Sequence, residues 1–191
     1  GNSILQNLNF EGNQATRGGG FYMVDSPGHI INTVHFENNW AGTGGGIAIE
    51  GDSKFSLDGV TFQSNQAKPF VSSVPNSGDG GGMYFASTFS NEPISTIGLK
   101  FYDNMAASDG GGLFTTRPAD FDIRLRLQQP VFERNRAASF GGAMANENSS
   151  PYVDLGFFQG NEASDGGAIS NRNGSSLVIF DSLVSGNVAN A

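Results

Sequence analysis

Two aspartates at matching positions, five arginines in one short stretch and a pair of histidines are the side chains here whose types and spacing could do chemistry. Asp79 and Asp109 each stand immediately before a Gly-Gly-Gly run. Carboxylates stacked at one register repel unless water or a cation lies between them, and Ca²⁺ takes oxygen ligands of this kind. These two are the candidate Ca²⁺ ligands. The next copy of the position is Phe140, and no Gly-Gly-x-Gly-x-Asp repeat accompanies it. The sequence therefore supports no firm metal site and no cofactor.

Arg117, Arg124, Arg126, Arg134 and Arg136 form a basic stretch in a chain of net charge −8. Such a patch would suit an acidic glycan or a partner subunit, and a solvated strand face is the plainer reading. His29 and His35 lie six residues apart and are not expected to converge. There is no Cys, which removes zinc thiolate sites and disulfide scaffolds. Glycoside-cleaving and metal-assisted sites need carboxylates clustered in a cleft, whereas Asp and Glu here sit mostly singly in turns. The expectation is a chain without catalytic activity. Two sequons, Asn148-Ser149-Ser150 and Asn173-Gly174-Ser175, are matches that Asn-rich turns produce easily.

What must position these residues is a repeat. Phe-x-x-Asn-x-Ala occurs at Phe10/Asn13, Phe36/Asn39, Phe62/Asn65, Phe101/Asn104, Phe132/Asn135 and Phe158/Asn161, and Val184/Asn187 closes the series. The base period is 26 residues, with two longer spacings that place insertions near 68–79 and 115–130. After each of the first six copies comes Gly-Gly, a small residue and a large apolar one, from Gly18-Gly19-Gly20-Phe21 to Gly166-Gly167-Ala168-Ile169. Repeats of this length build solenoids.

Apolar spacing within a unit is not helical. Runs such as Ile47-Ala48-Ile49, Lys54 to Phe62 and Leu177 to Val184 read as short strands bounded by Gly, Asn, Asp and Ser. A unit of that kind cannot bury its own apolar face, but stacked units can, with parallel strands about 4.8 Å apart. The fold expected is all-β, a right-handed parallel β-helix of about seven coils, since parallel crossovers are overwhelmingly right-handed. Phe10 to Phe158 then form an interior aromatic stack. Asn13, Asn39, Asn65, Asn104, Asn135, Asn161 and Asn187 form a hydrogen-bonded ladder at a corner. Phe21, Ile47, Met83, Leu113, Met144 and Ile169 form a second apolar ladder. In the second insertion, Phe121, Ile123, Leu125 and Leu127 alternate with polar residues and predict a strand with one apolar face.

The acidic balance repels phosphate, so nucleic acid is not an expected partner. No apolar run is long enough to span a bilayer as a helix. The chain starts at Gly1 without Met or signal peptide, and both ends stop within the repeat, which reads as a single β-helical segment of a longer protein.

The paired motifs Gly-Gly-Ala-Ile (166–169) and Phe-Gln-Gly-Asn (158–161) resemble the repeats of the polymorphic outer membrane proteins known from chlamydiae, and the resemblance runs from Phe10 to Asn187. It implies a β-helical passenger displayed outside the cell, at the outer membrane surface, and adhesive. It implies no catalytic residues. This chain departs in preferring Gly-Gly-Gly to Gly-Gly-Ala and in lacking Cys. The expected function is a structural or adhesive extracellular module that meets protein or glycan partners, or other copies and further coils of its own kind. The alternatives are a carbohydrate-active β-helix enzyme and a subunit of an extracellular filament.

Overall fold

The computed structural model describes residues 3–26, 28–69, 78–88, 94–117 and 125–190. They form a parallel β-helix. Each coil contributes one strand to each of four parallel sheets, which we label A to D in chain order. In the first coil these strands are Ile4–Gln6, Asn9–Glu11, Gln14–Arg17 and Phe21–Val24. Sheets A, B and C each have seven strands and sheet D has six. Every strand pairs in parallel with its counterparts one coil away, and no helix occurs among the described residues.

The register follows the repeat. Phe10, Phe36, Phe62, Phe101, Phe132 and Phe158 are successive Cα partners in sheet B, inward-facing and, from Phe36 on, fully buried. Their rings stack with centroids 4.5–5.2 Å apart and planes within 10° of parallel. That spacing is the strand repeat itself, so the backbone ladder sets the stacking distance. Phe21, Ile47, Met83, Leu113, Met144 and Ile169 run in register through sheet D and close the core from the opposite side.

Beside the phenylalanines runs the asparagine ladder. Each Asn from Asn13 to Asn161 donates both its backbone N–H and its Nδ2 to Oδ1 of the Asn one coil on, at 2.8–3.1 Å. The second Nδ2 proton, from Asn39 on, goes to the carbonyl of the preceding coil's phenylalanine, as from Asn104 to Phe62 O at 2.9 Å. The ladder crosses both insertions unbroken: Asn65 meets Asn104 across 39 residues and Asn104 meets Asn135 across 31. The coils on either side of each insertion are therefore in phase.

Corners are made by left-handed residues. The residue just before each ladder Asn has positive φ in all seven coils (Gly12, Asn38, Ser64, Asp103, Arg134, Gly160 and Gly186). A second such corner separates sheets A and B at Asn7, Thr33, Gly59, Gly98, Gln129, Leu155 and Asp181. It corrects one expectation. Lys54 to Phe62 is not a single strand but two, Phe55–Asp58 and Thr61–Gln63, broken at Gly59. The segment from Leu177 to Val184 splits in the same way at Asp181, between Val178–Phe180 and Leu183–Ser185. Continuous apolar character hid the turn because the residues on both sides of it face the core.

The glycine blocks form the corner between sheets C and D. The first glycine has positive φ, +64° at Gly44. The second has no room for a side chain: a Cβ on Gly45 would strike Gly81 O and the backbone of Gln66. The corner of one coil thus packs directly on the backbone of the next.

Candidate binding surface

Along the lateral surfaces the N–H and C=O groups of the described strands pair with the coils on either side. Recognition along the rod must come from outward side chains. Sheet C carries a groove of about 440 Å³. One wall is the outward row Gln66, Met105, Arg136 and Glu162, in register over four coils. The other is Lys68, Ala107, Ala138, Ser164 and Asn190. Between them lie the ladder alanines Ala67, Ala106, Ala137 and Ala163, all buried. The groove exists because that rung and its neighbours Ala107 and Ala138 are small.

Its charges are two cations and one carboxylate. Lys68 is exposed and its Nζ lies 4.4 Å from the ring centroid of Trp40, the single tryptophan. Arg136 Nη2 lies 3.4 Å from Glu162 Oε1, and both side chains are well exposed. Asn190 Nδ2 donates to the same Glu162 oxygen at 2.8 Å.

Four of the five arginines lie among the described residues, and these do not converge. Arg124 lies outside the described residues. Arg126 projects outward from sheet A over the Tyr152 ring, 5.3 Å from its centroid. Arg134 sits at the corner between sheets B and C, with Nε and Nη2 donating to both oxygens of Asp103 at 2.8 and 3.0 Å and Nη1 donating to Glu133. Those carboxylates raise its pKa further above the ordinary arginine value, Asp103 foremost. Arg136 is on sheet C, and Arg117, following sheet D, donates Nε to Asn148 O at 2.7 Å. Neighbours in sequence are spread around the circumference because each coil turns the chain through four faces.

Asp79 and Asp109 do share a rung, at the corner before sheet D. They relieve their repulsion with protein groups. Asp79 Oδ1 accepts the Asp109 N–H at 3.1 Å, and Asp109 Oδ1 accepts the Phe140 N–H at 3.2 Å. Asp109 Oδ2 is ion-paired with Arg172, whose guanidinium lies 3.9 Å from the Phe140 ring centroid. At this candidate Ca²⁺ position, the charge that meets Asp109 is this arginine. Burial pushes the Asp79 carboxyl up to about 6 and raises Asp109 as well, against the lowering effect of Arg172. Among the described residues no three His, Asp or Glu side chains are placed to hold a metal ion. His29 is buried on the inner side of sheet A and donates to or accepts from Ser26 Oγ at 2.7 Å, whereas His35 faces outward from sheet B. They do not meet.

Two features went unread in the sequence. Thr115, Asn146 and Asn171 continue the inner sheet D rung of Met23, Ile49 and Phe85. They replace apolar packing with a chain of bonds, Thr115 Oγ1 to Asn146 Oδ1 and Asn146 Nδ2 to Asn171 Oδ1, each 2.7 Å. The outward side of sheet D is also buried around Ala48, Tyr84, Phe114 and Ala145, with Tyr84 and Phe114 stacked 5.5 Å apart. The signal for both was the position after each Gly-Gly block, read rung by rung. Comparisons with models of known protein families, with curated proteins and with solved structures found no match to this chain.

Proposed function

We propose that this chain is a structural, adhesive module displayed at a cell surface, a rod that holds variable side chains outward for contact with glycans or proteins. The observation that carries it is the contrast between the two sides of the sheet B strands. Inward rungs repeat one residue type, Phe in sheet B and Asn at the next corner. Outward positions of the same sheet B strands read Asn9, His35, Thr61, Lys100, Val131 and Phe157. A repeated Phe and Asn core under a varied outward row is what a scaffold for contacts needs. The resemblance to the polymorphic outer membrane protein repeats favours the same reading and an extracellular setting.

The test is retention of fluorescently labelled chain on cultured epithelial cells, read by flow cytometry, beside incubation with a panel of polysaccharides. Saturable retention without new reducing ends or unsaturated uronates supports the adhesive role. Cleavage of a polysaccharide that one Asp→Asn or Glu→Gln variant abolishes would replace it with an enzyme.

A second reading, a filament subunit, draws on the last coil. There Val178, Ile179, Phe180, Leu183, Val184 and Val188 are 37–54 % exposed, although Ile179 and Val184 occupy core rungs. A further coil of the same repeat, from this chain or another copy, would cover them. Electron microscopy over a concentration series distinguishes this reading by rods whose length grows with concentration.

A further inference from the structure

We infer that the sheet C groove binds a linear anionic glycan bearing a carboxylate on every second sugar, with Lys68 and Arg136 as its two carboxylate-binding groups. The inference rests on the adhesive reading and names the ligand class of one surface.

Each coil advances the groove by about 4.8 Å, so Lys68 and Arg136 leave the backbone on strands two coils, about 10 Å, apart along the axis. An extended peptide rises about 3.3–3.4 Å per residue and turns successive side chains to opposite faces, so its same-face carboxylates recur about every 6.7 Å and fall out of phase with the coils. It also cannot join the sheet laterally, because the groove's backbone is committed: Gln66 N to Asn39 O, Lys68 N to Ala41 O, Met105 N to Asn65 O and Arg136 N to Asn104 O. A pyranose unit spans close to one coil, so alternate sugars fall on alternate coils.

The groove provides the chemistry such a chain needs. Lys68 rests on an indole face rather than on a carboxylate, and Arg136 holds Glu162 at only 3.4 Å in an exposed pair. Exposed pairs of that kind are weak, so a ligand carboxylate can take over either cation. Gln66, Ser164, Glu162 and Asn190 line the same groove with hydroxyl-binding groups. The net charge of the chain repels polyanions at long range, but screening at physiological salt confines that effect to about 8 Å, within which the groove is locally cationic.

Trp40 is the reporter. A carboxylate that draws Lys68 off the ring changes the emission of the single tryptophan. The probe is hyaluronan hexasaccharide, with cellohexaose as a neutral chain of equal length and hexa-aspartate as a non-glycan polyanion. The hexasaccharide is expected to shift Trp40 emission saturably, and the other two are not. Lys68→Ala with Arg136→Gln should weaken binding by about tenfold or more with an unchanged melting temperature. Glu162→Gln, which frees Arg136, should tighten it severalfold. No binding of the hexasaccharide, equal binding of cellohexaose or hexa-aspartate, or unaltered affinity in the double variant each overturns the inference. Cell retention that persists in the double variant alongside any of these results leaves the adhesive reading standing and removes only the groove.

Discussion

Replacing Asn104 by Ala tests whether the corner ladder holds the coils together. Asn104 Nδ2 donates to Phe62 O and to Asn135 Oδ1, both at 2.9 Å, and its Oδ1 accepts Asn65 N and Asn65 Nδ2 at 3.0 Å. Ala removes all four bonds. It strands Phe62 O and Asn65 N in a region where Phe62, Asn65 and Asn104 have no exposed surface. Each buried group left without its partner costs about 1–3 kcal/mol, so the expected loss is about 3–5 kcal/mol after partial relaxation. Asn13 is the internal control. It is exposed, and its side chain makes one bond, to Asn39 Oδ1, so Asn13→Ala should cost less than about 1 kcal/mol. Urea titration followed by circular dichroism measures both. Losses within 0.5 kcal/mol of each other, on the order of the scatter for independent surface sites, would refute the ladder as a source of stability.

Three further outcomes follow from the corners and the buried acid. Gly45→Ala should prevent folding or cost several kcal/mol, because its Cβ would strike Gly81 O, while Gly46→Ala should be milder, since Ala143 and Ala168 already occupy that rung; soluble yield and melting temperature compare the two. Leu155, half exposed and at φ +54°, should be replaced by Gly with a gain of about 0.5–1 kcal/mol, the left-handed cost outweighing the added chain entropy; a lower melting temperature would count against it. Asp79 has its folded pKa raised from 3.8 to about 6 by burial, so between those values the folded chain holds a proton that the unfolded chain has lost. Stability should be highest below the unfolded value and fall as pH rises, with a ceiling of about 3 kcal/mol lost once pH passes the folded value. Asp79→Asn should flatten that profile, and an unchanged slope in denaturant titrations across pH 4–7 would show that another group sets it.

The coil was legible because its determinants recur at one spacing. Phe at a core rung, Asn at a corner and Gly where coils touch each answer a demand that every coil makes again. Corners filled by Thr33, Leu155 and Arg134 were not legible, since those residues have no left-handed preference and adopt positive φ because the neighbouring coils dictate it. The basic stretch misled for a related reason: nearness in sequence is not nearness on a face when eight residues, from Arg126 to Arg134, carry the chain from sheet A past sheet B. The pairing of Arg172 with Asp109 spans 63 residues, and only the stacked register brings it about. The groove depends on the alanines of the Phe-x-x-Asn-x-Ala repeat, whose smallness opens the surface beside them.

The coil register is carried across an insertion. Gln63 and Tyr102 are outward Cα partners 39 residues apart, and Glu133 lies one coil further on. Adjacent parallel strands sit about 4.8 Å apart, within the Cα range of a disulfide, and strands two coils apart do not. The chain has no Cys of its own. On mild oxidation, Gln63→Cys with Tyr102→Cys should cross-link in high yield within the monomer, and Gln63→Cys with Glu133→Cys should not, as read by mass spectrometry of the linked peptides. Equal cross-linking of the two pairs, or none in the first, would contradict the stacked coil.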